Sequence, residues 1–188
     1  ISRIEEYREL LNIFENPNIE KIGYKTKHDF VILKELGIEY NNIKYDAEIA
    51  GYNINPTDKN TIEEMSNKYL EINIDEYLQN EFKDLQENKN KQINLFDAMQ
   101  DDSEQAKELA RKNKLTNSFY CYIISKLEPV TLEKLKAEHT LELFNNIEMP
   151  LVPVLAEMQY NGMLVDKQEL VNLGVVLKLQ LEDITKDI

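Results

Sequence analysis

The residues of this chain whose chemistry could matter are a few carboxylates, two imidazoles, a thiol and a run of rings. Asp29 and Asp46 each stand where a helix should begin. A carboxylate can ligate a divalent cation. It can equally accept the free N–H groups of a helix start and sit favourably in the helix dipole. Asp29 therefore reads as an N-cap or first-turn acid, and Asp46 as an N-cap. His28 and His139 lack any partner spacing that would build a metal site or an acid–base pair. Cys121 is the single cysteine and cannot form an internal disulfide. In its apolar run it reads as a small buried residue of a reducing compartment. Phe119, Tyr120 and Tyr122 share that run with Ile123 and Ile124, so they read as core and not as a stacking platform for bases. The acids of residues 81–87 and Asp101-Asp102 read as solvated surface.

Composition bounds what these residues can serve. The 188 residues suffice for one domain with an appendage, and 42% hydrophobic with 30% charged residues is enough for a packed core. With 5 Gly, 5 Pro and no Trp, turn residues are scarce and the chain should be helix-rich. The net charge of −13 and pI near 4.7 give no basic face of the kind an independent duplex-DNA binder needs. They argue equally against an anionic membrane surface. No signal peptide, transit peptide or membrane-length apolar run stands out, which predicts a cytoplasmic protein.

The elements that must position these residues follow from periodicity. Residues 2–14 carry Ile4, Tyr7, Leu10, Leu11 and Phe14 at helical spacing, with Ser2 as N-cap. Residues 19–24 and 43–45 read as short strands. Between them residues 29–36 read as a helix closed by Gly37. Asp46 caps a helix to Ile54, and Asn55-Pro56 stops it. Thr61 with Glu64 forms a capping box for a helix to Leu70. Strand, helix, strand, helix is the pattern of an α/β unit with parallel strands. Two short strands make a poor sheet alone, so the chain reads as starting inside a domain whose first strands precede it. Residues 86–92 read as an exposed loop. Helices are then predicted over 103–127 with Ser103 as N-cap, over 131–146 with Thr131 as N-cap, and from Pro150 to Asn161, stopped by Gly162. Leu164-Val165 is an extended link. Asp166 caps a last helix with Leu170, Leu173, Leu177, Leu181 and Ile184 on one face.

Two stretches carry a resemblance. The first is Lys21-Ile22-Gly23-Tyr24-Lys25-Thr26-Lys27-His28-Asp29, continued by Tyr45-Asp46-Ala47-Glu48-Ile49-Ala50, Asn55-Pro56-Thr57 and residues 62–70. The second is Asn146-Ile147-Glu148-Met149-Pro150-Leu151-Val152-Pro153-Val154-Leu155-Ala156-Glu157-Met158, then Asn161-Gly162 and Val165-Asp166. The first resembles the segment K-[IV]-G-x-N-x-K-[YF]-D of bacterial family A DNA polymerases, the DNA polymerase I type. The second is similar to that family's junction of exonuclease and polymerase domains.

The resemblance implies a 3′→5′ exonuclease domain, whose reaction is a two-metal phosphodiester hydrolysis. Two cations clamp the attacking and leaving oxygens and need several converging carboxylates. In the family these come from an early D-x-E strand, from the aspartate matched by Asp29, and from a late helix with Y-x-x-x-D. That spacing puts tyrosine and aspartate on one helix face. Here the D-x-E strand would precede Ile1. Lys112 stands where the tyrosine would be and Thr116 where the aspartate would be, and Lys25 replaces the family's asparagine. No Tyr-x-x-x-Asp occurs between Ser103 and Leu127, and no acid lies between Lys112 and Lys126. A site that has lost a carboxylate and gained lysines holds divalent ions poorly.

The expected protein is thus an α/β, helix-rich chain. Residues 1–145 form a degenerate exonuclease-like domain, a partial ribonuclease H-like (DnaQ-like) fold lacking its first strands. Residues 146–188 form the junction and first thumb helix of a polymerase domain, where Lys167, Lys178 and Lys186 could reach phosphate. The resemblance implies a vestigial scaffold within a monomeric, nucleoid-associated polymerase that replicates and repairs DNA. Asp29, Lys112 and Thr116 mark the vestigial positions, with no catalytic or metal-binding residue in this piece. The partners are the polymerase domain in cis and primer–template DNA, with Mg²⁺ serving the parent polymerase. Two alternatives stand beside it: an active proofreading exonuclease completed by acids from elsewhere, or an unrelated helical protein-interaction module.

Overall fold

Ile22 and the pair Ile43 and Tyr45 set two short strands, because β-branched and aromatic side chains fit a pleated surface. In the computed structural model, which describes residues 8–81 and 104–186, these are β1 (Lys21–Gly23) and β2 (Ile43–Asp46). They pair in parallel, Ile22 opposite Tyr45 and Gly23 opposite Asp46. A helix α1 (Arg8–Glu15) precedes them and a helix α2 (Thr26–Glu35) joins them. Gly37, at φ +74°, ends α2 as expected. Its N–H bonds Lys34 O at 2.9 Å and Ile38 N–H bonds Leu33 O at 2.9 Å, the paired bonds of a left-handed helix terminus. The expected α/β unit is therefore present.

The next two helices keep their expected bounds. They are α3 (Ala47–Ile54), capped by Asp46, and α4 (Ile62–Leu70), where Thr61 Oγ1 accepts Glu64 N–H at 3.3 Å. A further helix α5 spans Ile74–Glu81. The predicted loop at 86–92, Ser103 as cap, residues 2–7 and the acids after Glu81 lie outside the described residues.

The later helices differ from expectation. One helix, α6 (Glu104–Ala137), runs straight through Pro129, and Thr131 is not an N-cap. Its Oγ1 donates to Leu127 O at 2.8 Å inside the helix. The reason is packing: Ile123, Leu127, Thr131 and Leu135 recur every fourth residue and are all fully buried. Burying that stripe outweighs the hydrogen bond the exposed proline removes. The real break falls at His139, φ +59°, where Thr140 N–H bonds Leu135 O at 2.9 Å. From there α7 (Leu141–Leu143), a π-helical turn (Phe144–Glu148) and α8 (Met149–Asn161) follow without interruption, so the expected break before Pro150 is absent. Pro150 does sit in the first turn of α8, and Gly162 at φ +65° ends it.

The core forms where α6 packs on α3, α4 and β1, and where α8 lies along α2 and β2. Tyr45 is its centre. The ring lies 6.0 Å from that of Phe144, and its hydroxyl shares a 2.8 Å hydrogen bond with Thr131 Oγ1. Phe119 and Tyr120 pack at the margin of this core. Tyr122, however, is exposed, as is Cys121, because the apolar run is helical and only one face of it is covered. The last helix, α9 (Lys167–Lys186), has Asp166 Oδ1 accepting Gln168 N–H at 2.9 Å and Glu169 N–H at 3.2 Å. Every residue of α9 is exposed.

Candidate functional site at the carboxyl ends of the strands

Parallel strands end on the same side, and in open α/β sheets ligands bind beyond those ends. Asp46 closes β2 there. It is almost fully buried, and both oxygens are engaged. Oδ1 accepts from Glu48 N–H at 2.9 Å, Ile49 N–H at 3.3 Å and Lys25 N–H at 3.3 Å. Oδ2 accepts from Thr26 N–H at 2.6 Å and from Thr26 Oγ1–H at 2.7 Å. One carboxylate thus caps its own helix α3 and the start of α2. This is why α2 begins at Thr26 and not at Asp29: an acid from another strand captures the first free N–H groups. Gly23 lets Thr26 come this close, since an added Cβ would stand 2.6 Å from Thr26 Cγ2.

Asp29 lies in the first turn of α2, the second of the two places expected for it. Desolvation raises its carboxyl above the usual range, and Asp46 adds to the rise while His28 opposes it. The buried Tyr40 phenol is pushed well up by desolvation, with Asp29 and Asp46 contributing. Asp29, Tyr40 and Asp46 are thus neighbours. Lys25 takes a left-handed backbone, φ +58°. Its ammonium lies 3.7 Å from Glu48 Oε1 and 5.2 Å above the Tyr24 ring. Lys25, Lys27, His28, Glu48 and Glu148 line a cleft of 630 Å³ walled by Leu151 and Leu155 of α8. Lys112 and Thr116 sit half-buried one turn apart on α6.

A divalent cation needs several free oxygens. Asp46 has committed its own to four backbone N–H groups and the Thr26 hydroxyl. Among the described residues no three His, Cys, Asp or Glu side chains are grouped to hold a metal. The described residues do not fit a two-metal centre. Sequence reasoning recognised Asp46 as a cap and missed its second grip on Thr26. The signal was there in part: a threonine just after a strand and a lysine, in a turn that needs an acceptor.

Comparison with known proteins identifies the class. Residues 2–78 match the family described as DNA polymerase I, ribonuclease H-like domain. The chain is 32% identical to DNA polymerase I of Borreliella burgdorferi over 178 residues, 94% of this chain and 17% of that protein. DNA polymerase I of Streptococcus pneumoniae is 36% identical over 66 residues, 35% of this chain and 8% of that protein. Among solved structures, the chain superposes with a TM-score of 0.66 and 18% identity on one titled as the POL domain of Pol1 from M. smegmatis in complex with DNA primer-template and dNTP. The match covers 95% of this chain and 25% of that one. The chain is DNA polymerase I-like, of the family A polymerases, and carries their exonuclease-like domain.

Proposed function

We propose that this chain is a structural, vestigial 3′→5′ exonuclease-like domain with the start of the polymerase domain, and that it catalyses no hydrolysis. The observation that supports this is the fate of the two acids at the carboxyl ends of the strands. Asp46 is consumed in capping two helices, and Asp29, though exposed, has its carboxyl raised by partial desolvation. A metal-bearing carboxylate needs the opposite, an environment that welcomes the ion and leaves oxygens free. Lys112 and Thr116, where the family has tyrosine and aspartate, weigh the same way.

The role left is packing. The helix α8 ties the junction to α2, with a Lys34–Glu157 ion pair and Lys34 lying over the Tyr160 ring. It would hold the polymerase domain in cis, which would synthesise DNA on primer–template in replication and repair with Mg²⁺ at its own acids. The test is hydrolysis of 5′-labelled single-stranded DNA in Mg²⁺ and Mn²⁺. No shortened product is expected, and metal-dependent release of nucleotides would overturn the reading.

A further inference from the structure

A second cleft, of 720 Å³, opens where the turn into β2 meets the π-helical turn and the start of α8, with Phe30 and Tyr40 in its lining. Acids make up 35 of the 188 residues, yet none lines this cleft. Its one charge is Lys44, exposed and without a partner among the described residues. Asn42 is held by its Nδ2–H donating to Pro17 O at 2.8 Å, which leaves its Oδ1 open. Asn145 and Asn146 are exposed on the π-helical turn and make no side-chain hydrogen bond among the described residues. The Phe30 ring and Pro150 supply apolar walls. π-Helical turns recur at functional sites. This one lies directly before Pro150, whose ring would otherwise press on the Asn146 carbonyl.

Open asparagine amides can pair with a base edge, and adenine suits them best. A base can stack on an aromatic ring such as that of Phe30. A lone lysine meets a phosphate as a point charge. The volume falls in the range of small-ligand sites. We propose that this cleft binds one nucleotide, either a free mononucleotide or one residue of a single-stranded DNA. The proposal does not rest on the scaffold reading, which its failure would leave intact.

The test is an NMR titration of the 188-residue chain. One arm uses deoxyadenosine 5′-monophosphate and the other a short single-stranded oligodeoxyadenylate. Saturable shifts of the Asn145 and Asn146 side-chain amides and of Lys44 are expected in at least one arm, and the arm that saturates names the source. Lys44→Glu and Asn146→Asp should each weaken binding roughly tenfold. Should a variant misfold, the wild-type shift map still decides. The proposal is overturned if neither arm saturates, or if shifts gather at Lys25 and His28 and both variants bind like the wild type.

Discussion

Lys25 shows most plainly how a family position can change its residue and keep its geometry. Its φ of +58° lies where asparagine is tolerated and a long side chain is strained, and asparagine is what the resembling family places there. Its ion pair with Glu48 is exposed and worth little. Lys25→Asn should therefore stabilise the chain by about 0.5–1 kcal/mol, read as a higher urea midpoint with unchanged slope. Asp46 is the reverse case. Asp46→Ala strips the acceptor from Lys25, Thr26, Glu48 and Ile49 and should cost about 2–4 kcal/mol in the same measurement. Asp29 gives a pH test. Its folded carboxyl titrates above the unfolded value, so the native state binds more protons in that window, and stability falls as pH rises through it. Asp29→Asn should gain stability at neutral pH, by no more than about 0.5 kcal/mol at so exposed a residue. The gain should vanish below the ordinary carboxylate range.

Among the elements, local signals were legible wherever a cap or terminator decided the boundary. Asp46, Thr61, Asp166, Gly37 and Gly162 all do what their types suggest. Boundaries set by long-range packing were not legible. Pro129 and Thr131 look like a helix end and a helix start, and nothing local reveals that Ile123 and Leu135 bury against the same core. Nor does the sequence around His139 advertise a left-handed residue, since glycine is the usual marker. The site was legible at Asp29 and Asp46 as helix-start acids. The grip of Asp46 on Thr26 spans two strands and could not be read locally. If α6 is one helix clamped on both sides of Pro129, Ile123→Ala and Leu135→Ala should each cost about 2–5 kcal/mol and lower a single cooperative transition. Two separate transitions in thermal unfolding would show the helix to be two.

Across the whole molecule, the contrast is between a closed core and an open final helix. Leu173, Leu177 and Leu181 of α9 are each more than half exposed, and an apolar face of that kind asks for cover. The chain spans 17% of the Borreliella burgdorferi polymerase it matches, and the scaffold reading assigns the cover to a polymerase domain. Replacing Leu173 and Leu177 with glutamate should leave unfolding of the core within about 0.5 kcal/mol of the wild type. A matching loss of core stability would instead make α9 part of the globule. The acids at the strand ends are probed by paramagnetic broadening of the Asp29 and Asp46 resonances during Mn²⁺ titration. The scaffold account predicts only weak, unsaturable broadening spread over surface acids. Saturable broadening centred on Asp29 at submillimolar Mn²⁺ would contradict it.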